Sequence, residues 1–121
     1  TDNKAAFDIE IKPHSIVVAD RGYCDYGLLN HWDSNNVFYV GRHKDNIRYR
    51  TIEELPLPKQ HTQNVLMDES IEFGLPAAKE KFPKRLKRIA VWNDEHGFVI
   101  ELLTNNFTLA ASTIAKLYKA R

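Results

Sequence analysis

The hydrophobic pattern near the start of the chain predicts a strand followed by a helix. The run from Ser15 to Asp20 is apolar and β-branched up to its last residue, without alternation, which is typical of a strand buried on both faces of a sheet. A turn at Arg21 to Tyr23 follows, and Asp25 to Trp32 then has the spacing of a short helix with one apolar side. This order of elements predicts an α/β unit.

The pattern then changes to strand-like segments separated by polar turns. The predicted strands are Val37–Arg42, Ile47–Ile52, Lys87–Trp92 and Phe98–Thr104, with Val65–Phe73 as a weaker candidate. The last two flank Asn93 to Gly97, which has the composition of a hairpin turn. One helical turn is expected at Ala77 to Lys81, so most of this region is predicted to be antiparallel β-structure.

The final segment, Thr108 to Arg121, has a good helix pattern that Thr108 or Asn106 can cap. Ala110, Ile114, Leu117 and Arg121 are predicted to line one stripe of this helix. No Gly, Asn or Pro ends the helix, and the chain opens at Thr1 without Met. These features predict an internal piece of a longer protein.

The composition of the 121 residues, 43% hydrophobic and 27% charged, is that of one small globular domain. No apolar run is long enough to cross a bilayer, so we expect no membrane-spanning segment. The single cysteine, Cys24, cannot form an internal disulfide, which suits a reducing cytoplasm. The five histidines show no zinc-ligand spacing, and we assign them no metal role.

The net charge is only +1, but the basic residues are clustered. Six of them lie between Lys79 and Arg88, against one acid, Glu80. A second basic stretch runs from Arg42 to Arg50 and includes Arg48 and Arg50, which an alternating strand would place on one face. Such clusters attract a phosphate backbone, but on charge alone they are more often part of an ordinary solvated surface.

Asp20 is the first candidate for chemistry because of its position. An acidic residue at the carboxyl end of a buried strand lies where α/β folds place metal-binding and catalytic groups. A hard cation such as Mg²⁺ takes one or two protein carboxylates together with substrate phosphates. The alternative is that Asp20 caps the turn that follows it.

Three short motifs resemble those of a known enzyme family. Asp20 to Tyr23, preceded by Ser15 to Ala19, resembles the second catalytic block of the insertion-sequence transposases of the IS-four family, which are DDE transposases with a ribonuclease-H-like core. Tyr118 to Arg121 resembles the start of the family signature Tyr-x-x-Arg-x-x-x-Glu-x-x-x-x-x-x-Lys. Phe38 to Arg42 resembles the aromatic-rich strand, ending in Arg, that follows the second Asp block. The motifs occur in the family's order around a β-rich segment, and the resemblance extends over nearly the whole chain.

The resemblance implies two-metal phosphoryl transfer by an acidic triad that holds Mg²⁺ or Mn²⁺. Asp20 would be the second acid and a metal ligand, and Tyr118, Arg121 and Arg42 would contact DNA. The family spacing puts the catalytic Glu four residues beyond Arg121, and the first Asp belongs to an earlier strand. The chain would therefore hold one acid of three and be inactive alone.

The implied fold class is α/β, a partial ribonuclease-H-like core interrupted by a mainly antiparallel β insertion. Residues 1–36 would belong to the core, 37–104 to the insertion, and 105–121 to the start of the helix that carries the catalytic Glu. The implied partners are transposon-end and target DNA, with self-association of the parent protein. We expect it to act in the bacterial cytoplasm, associated with the nucleoid, and without a membrane.

One departure concerns base stacking. Some family members present a Trp on the last insertion strand to stack on a flipped base, whereas Phe98 to Leu103 contains no Trp. Trp92, on the neighbouring strand, would substitute only if its ring points outward, and a Trp in an alternating strand is more often part of the core.

The alternative function is a non-catalytic, β-rich module that binds nucleic acid or protein through its basic segments. Such a module predicts salt-sensitive DNA binding without metal.

Overall fold

The structure is a computed structural model that describes residues 10–19, 26–42, 47–57 and 64–120. In these ranges the chain forms six strands and three helices. The strands are β1 Ile16–Ala19, β2 Phe38–Arg42, β3 Tyr49–Glu54, β4 Val65–Phe73, β5 Leu86–Asn93 and β6 Phe98–Thr104. The helices are α1 Tyr26–Ser34, α2 Pro76–Lys81 and α3 Ala111–Lys119.

All six strands belong to one sheet, in the order β1-β2-β6-β5-β4-β3. Only β1 and β2 are parallel, and α1 connects them, which is the predicted α/β unit. The other neighbours are antiparallel. Because β1 and β2 run in the same direction, with Ala19 opposite Gly41, their carboxyl ends lie at one edge of the sheet.

The sheet has an apolar core on each face, as the period of two along its strands requires. Tyr39 and Leu103 lie on the face covered by α1 and α2, whereas Val40 and Leu102 lie on the face covered by α3. Alternate residues of β2 and β6 thus serve different helices. The chain is a three-layer α/β structure over its described residues.

The predicted stripe of the last helix is wrong in register. The side chains of α3 that are buried are Ala111, Ile114, Ala115 and Tyr118, whereas Ala110 is exposed and Leu117 is only partly buried. The predicted residues and the buried residues both follow a helical period. The buried ones are those that face the apolar surface of the sheet. The helix also begins later than predicted, at Ala111. Asn106 does not cap it, but accepts hydrogen bonds from the backbone nitrogens of Thr108 and Leu109, both at 2.9 Å.

The expectation that the first strand is buried on both faces is also not met. β1 forms one edge of the sheet, Ile16 is 37% exposed, and the remaining residues are partly buried. An apolar run without alternation indicates burial on both faces only when the strand lies inside the sheet, with a neighbouring strand on each side.

The other predicted elements are present. β4 and β6 have the predicted bounds, and α2 is one residue longer than the predicted helical turn. β2, with which the predicted insertion begins, pairs with β1 of the predicted core, so the described strands form one continuous sheet. The division at residues 36 and 37 stays a prediction. No described helix is long and apolar enough to cross a membrane.

Two buried ion pairs involve residues near the start of β5. Lys87 Nζ lies 3.3 Å from Asp68 Oδ2 and donates to the Leu109 carbonyl at 3.0 Å. Burial raises the pKa of Asp68, and the charge of Lys87 opposes that rise. On the other face, Arg88 donates to Glu69 at 3.0 Å and also pairs with Glu101. Both basic residues are therefore paired with acids inside the protein, although Arg88 Nε has no hydrogen-bond partner among the described residues.

Asn105 joins the end of β6 to the start of β2. Its Oδ1 accepts from the Tyr39 backbone nitrogen at 2.7 Å, and its Nδ2 donates to the Val37 carbonyl at 3.0 Å. The same Nδ2 donates to Asp33 Oδ1 at 3.1 Å, in the last turn of α1. One side chain thus joins the end of β6 to β2 and to α1.

Candidate functional site

A cleft of about 810 Å³ lies at the carboxyl end of β2, the edge of the sheet at which β1 also ends. Its walls are the β5–β6 hairpin, the last residue of β2 and the last turn of α3. The basic and aromatic residues that line it are Arg42, Trp92, His96, Phe98, Tyr118 and Lys119. Cations and aromatic rings therefore meet in one concave surface.

The hairpin wall exists because β5 and β6 are longer than β2. Arg42, the last residue of β2, pairs with Leu102, and the part of β6 before Leu102 extends beyond it. The turn is fixed by Gly97, whose φ of 72° favours glycine and whose nitrogen donates to the Asn93 carbonyl at 2.8 Å. Asn93 Oδ1 accepts from the next backbone nitrogens, of Glu95 and His96, at 3.0 and 3.1 Å. The predicted hairpin is confirmed, and its tip is held in one conformation.

Arg42 is oriented by this hairpin. Its Cζ lies 5.2 Å from the centroid of the Phe98 ring, a distance typical of a cation–π contact. His96 stacks on the same ring, with centroids 5.9 Å apart and the planes 23° from parallel. The guanidinium group of Arg42 is thus set against an aromatic wall at the end of β2. The sequence pattern identified Arg42 but not Phe98. Alternation along β6 shows which of its residues share a face, but not which side chains of other strands lie beside its first residue, Phe98.

Tyr118 lies in the same cleft, although most of its surface is packed. It is only 5% exposed and belongs to the apolar core between α3 and the sheet. Tyr118 therefore packs mainly as a core residue, and only its small exposed part borders the cleft. Lys119, the next residue, is exposed and also lines the cleft.

Trp92 points outward. It is 40% exposed, as the sequence required of a stacking ring, but the strand register places it on the face of the hairpin opposite to Phe98. It pairs across the hairpin with Val99, which is 44% exposed. Most tryptophans in alternating strands are buried, whereas this one is exposed at the outer end of the hairpin.

Asp20 and Arg121, the remaining predicted site residues, lie outside the described residues, as does Cys24. In the chain Asp20 follows Ala19, the last residue of β1, and Arg121 comes two residues after Lys119. Arg42 and Tyr118 are thus the two predicted DNA contacts that the structure describes, and it brings both to one cleft.

The described part of the chain contains no group of three His, Cys, Asp or Glu side chains able to hold a metal ion. The acids that line the cleft are Asp94 and Glu95, and Asp94 accepts a hydrogen bond from Asn64 at 2.8 Å. These residues by themselves do not fit the acidic metal site that the resemblance to DDE transposases implies.

Comparison with known proteins gives the family. The sequence profile described as "Transposase DDE domain" matches residues 2–121, which is nearly the whole chain. The chain belongs to the transposase DDE domain family. The predicted relationship to DDE transposases is thereby confirmed, and with it the α/β class of the fold.

Two curated relatives of this DDE domain chain agree with that assignment. It is 27% identical over 106 residues to a Geobacillus stearothermophilus protein named "Probable transposase for insertion sequence element IS5377". It is 29% identical over 115 residues to "Putative transposase y4zB" of Sinorhizobium fredii (strain NBRC 101917 / NGR234). The matches cover 88% and 93% of the chain, and the chain spans 27% and 32% of the relatives' lengths. No solved structure gives a significant match to the chain.

Proposed function

We propose that the chain is part of the catalytic domain of a DNA transposase that cuts and rejoins DNA by phosphoryl transfer. The observation that carries the proposal is that Arg42 and Tyr118, 76 positions apart in the sequence, line one cleft. That cleft lies at the edge where β1 ends, and Asp20 is the residue after β1. Ligand sites in open α/β sheets lie at the carboxyl ends of the strands, which supports the choice of this edge.

Asp20 is the acid that this chain contributes to the reaction. When bound by Asp20 and by the first Asp and the Glu of the parent, Mg²⁺ or Mn²⁺ supplies activation of the attacking oxygen and stabilisation of the leaving oxygen. The two other acids would come from sequence before Thr1 and beyond Arg121. With one acid of three, the 121-residue chain alone is expected to leave DNA uncut.

Arg42 is proposed to bind a DNA phosphate. A guanidinium group offers paired donors to phosphate oxygens, and the Phe98 ring limits the directions that the Arg42 group can take. Lys119 adds an exposed positive charge on the opposite wall. Tyr118, packed in the core, would hold the end of α3 in place, and with it Arg121, the remaining predicted phosphate contact.

The broader assignments follow from the same proposal. Residues 1–36 and 105–121 belong to the catalytic core of the parent and residues 37–104 to its β-rich insertion. The parent acts on transposon-end and target DNA in the bacterial cytoplasm, and it self-associates to hold two ends. The parent protein would be about three times as long as this chain, as its relatives are.

The test uses the complete parent protein with Mg²⁺ or Mn²⁺ and a labelled transposon-end duplex. Asp20→Asn keeps the shape of the side chain and removes its charge, and it is expected to abolish end cleavage and strand transfer while DNA binding persists. Asp94→Asn is the matched control, because Asp94 also lines the cleft but is not assigned to the triad. Cleavage by Asp20→Asn at the rate of the control would reject Asp20 as a catalytic acid.

The parent's coding sequence gives an independent check. A Glu four residues beyond Arg121 and an Asp-bearing strand upstream are expected. If both are absent, the alternative of a metal-independent binding module is favoured.

A further inference from the structure

A second basic surface surrounds α2, away from the cleft. We propose that this surface, here named the basic band, binds the phosphate backbone of duplex DNA. The basic band consists of six exposed side chains, Arg48, Arg50, Lys79, Lys81, Lys84 and Arg85. None of them lines the cleft. The inference rests on the proposed function in that DNA is the partner.

The fold separates the basic residues that are available from those that are not. Of the six between Lys79 and Arg88, Lys87 and Arg88 are buried and paired with acids on opposite faces of the sheet. The other four precede β5 and are all exposed. The sequence cluster therefore splits at Leu86, where the chain enters the sheet.

Arg50 of β3 and Lys79 of α2 converge on one carboxylate. Both pair with Glu72, Arg50 at hydrogen-bond distance and Lys79 at 3.3 Å. Their side chains are 70% and 50% exposed, whereas that of Glu72 is 16% exposed. The hydrogen bond from Arg50 and the contact with Lys79 lower the pKa of Glu72. One shared carboxylate offsets one of the two charges, and the other remains directed to solvent.

The charge balance of the band is positive although that of the chain is close to neutral. Among the described residues, the acids that pair with these six cations or adjoin them in sequence are Glu72, Glu80 and Asp33, which pairs with Lys84 at 2.6 Å. The excess of three positive charges is larger than the net charge of the whole chain, which is +1. The basic band therefore carries more excess positive charge than the chain as a whole.

The band is also held rigidly. Ala78 packs on the core and Phe82 is buried, which fixes the inner side of α2. Lys79 follows Ala78, and Lys81 precedes Phe82. The helical period therefore places the two lysines on the two flanks of α2. Arg48 is joined to the same region, since its carbonyl accepts from the Gly74 nitrogen at 3.0 Å.

Duplex DNA is the partner that fits these properties. Long exposed cations along a rigid surface can each neutralise a phosphate and release a condensed counterion. A contact of this kind would position a duplex without reading its sequence.

The test is fluorescence anisotropy of the 121-residue chain with a labelled duplex of random sequence, without metal, over a series of salt concentrations. The double variant Lys81→Gln/Arg85→Gln removes two exposed band charges that form no ion pair with the described residues. The matched control, Lys12→Gln/Lys116→Gln, removes the same charge from exposed positions outside the band and the cleft. The band variant is expected to bind at least about 10-fold more weakly at low salt, with a salt slope smaller by about 2, against a small change in the control.

Three outcomes would overturn the proposal. The first is equal weakening by the band and control variants, which would reflect net charge alone. The second is the absence of binding by the unaltered chain. The third is competition by polyglutamate as effective as that by unlabelled DNA at the same charge, which would assign the band to an acidic protein. Because neither cleavage nor metal is measured, failure here is distinct from a failure of Asp20 in the parent.

Discussion

Removal of the Asn105 side chain tests how the α/β unit is attached to the rest of the sheet. β6 ends at Thr104, and the amide of Asn105 takes over the pairing with β2 from that point. Asn105→Ala deletes three hydrogen bonds, to the Tyr39 nitrogen, the Val37 carbonyl and the carboxylate of Asp33. The first two backbone groups belong to residues that are 1% exposed, so water replaces the lost partner poorly.

The magnitude follows from these three bonds. A hydrogen bond contributes about 1 kcal/mol net, and a buried group left without a partner costs about 1–3 kcal/mol. Since Asn105 itself is only partly buried, some solvent access remains, and we expect a loss of about 3 kcal/mol in the free energy of unfolding. For a chain of this length that corresponds to a fall in Tm of about 12 °C.

The assay is urea unfolding of the 121-residue chain, with thermal unfolding as a second measurement. Asn35→Ala is the matched control, because Asn35 makes one exposed hydrogen bond, to the His31 carbonyl at 2.7 Å. It is expected to cost about 0.5 kcal/mol. Asn105→Asp should be at least as harmful as Asn105→Ala at neutral pH, since a carboxylate would then face Asp33. A loss from Asn105→Ala no larger than that of the control would refute this account of the attachment.

Three further predictions concern packing, pH and the cleft. Gly41→Ala should lower the free energy of unfolding by about 1–3 kcal/mol, measured in urea, because an added Cβ would collide with the buried ring of Tyr39. The pKa of Asp68 is raised in the folded state, so its contribution to stability is present below the ordinary pKa of 3.8 and is lost as the pH rises through the folded value. Urea unfolding between about pH 4 and pH 7 should therefore show the unaltered chain losing stability relative to Asp68→Asn, and an unchanged difference would contradict the raised pKa. Phe98→Leu should weaken DNA binding by the chain about 2- to 5-fold through loss of the contact with Arg42, with unaltered stability; an anisotropy titration that shows no change would exclude that contact as a determinant.

The local elements were predictable because their signals are local. β6 was predicted with its observed bounds, since an apolar strand ending in Thr104 and a turn containing Gly97 depend only on neighbouring residues. The membership of the DDE transposases was also predictable, because short motifs at Asp20 and Tyr118 occur in the family's order. Neither inference required knowledge of which strands are adjacent.

The register of α3 shows where the sequence stops being sufficient. Two stripes of equal helical quality include Ile114, and only the apolar face of the sheet selects the one with Tyr118. The same holds for the basic run, in which Lys81 is exposed and Lys87 is buried although their sequence surroundings are alike. Helical period and charge density are properties of a segment, whereas burial depends on what lies opposite it.

The sequence by itself thus determined the family, the order of the elements and the choice of Asp20 and Arg42 as candidates. The tertiary structure alone decided that Arg42 meets Phe98 and shares a cleft with Tyr118. It also decided that Trp92 faces outward. The physical reason is that these contacts join residues far apart in the chain, whose meeting is set by the strand order β1-β2-β6-β5 rather than by any local preference.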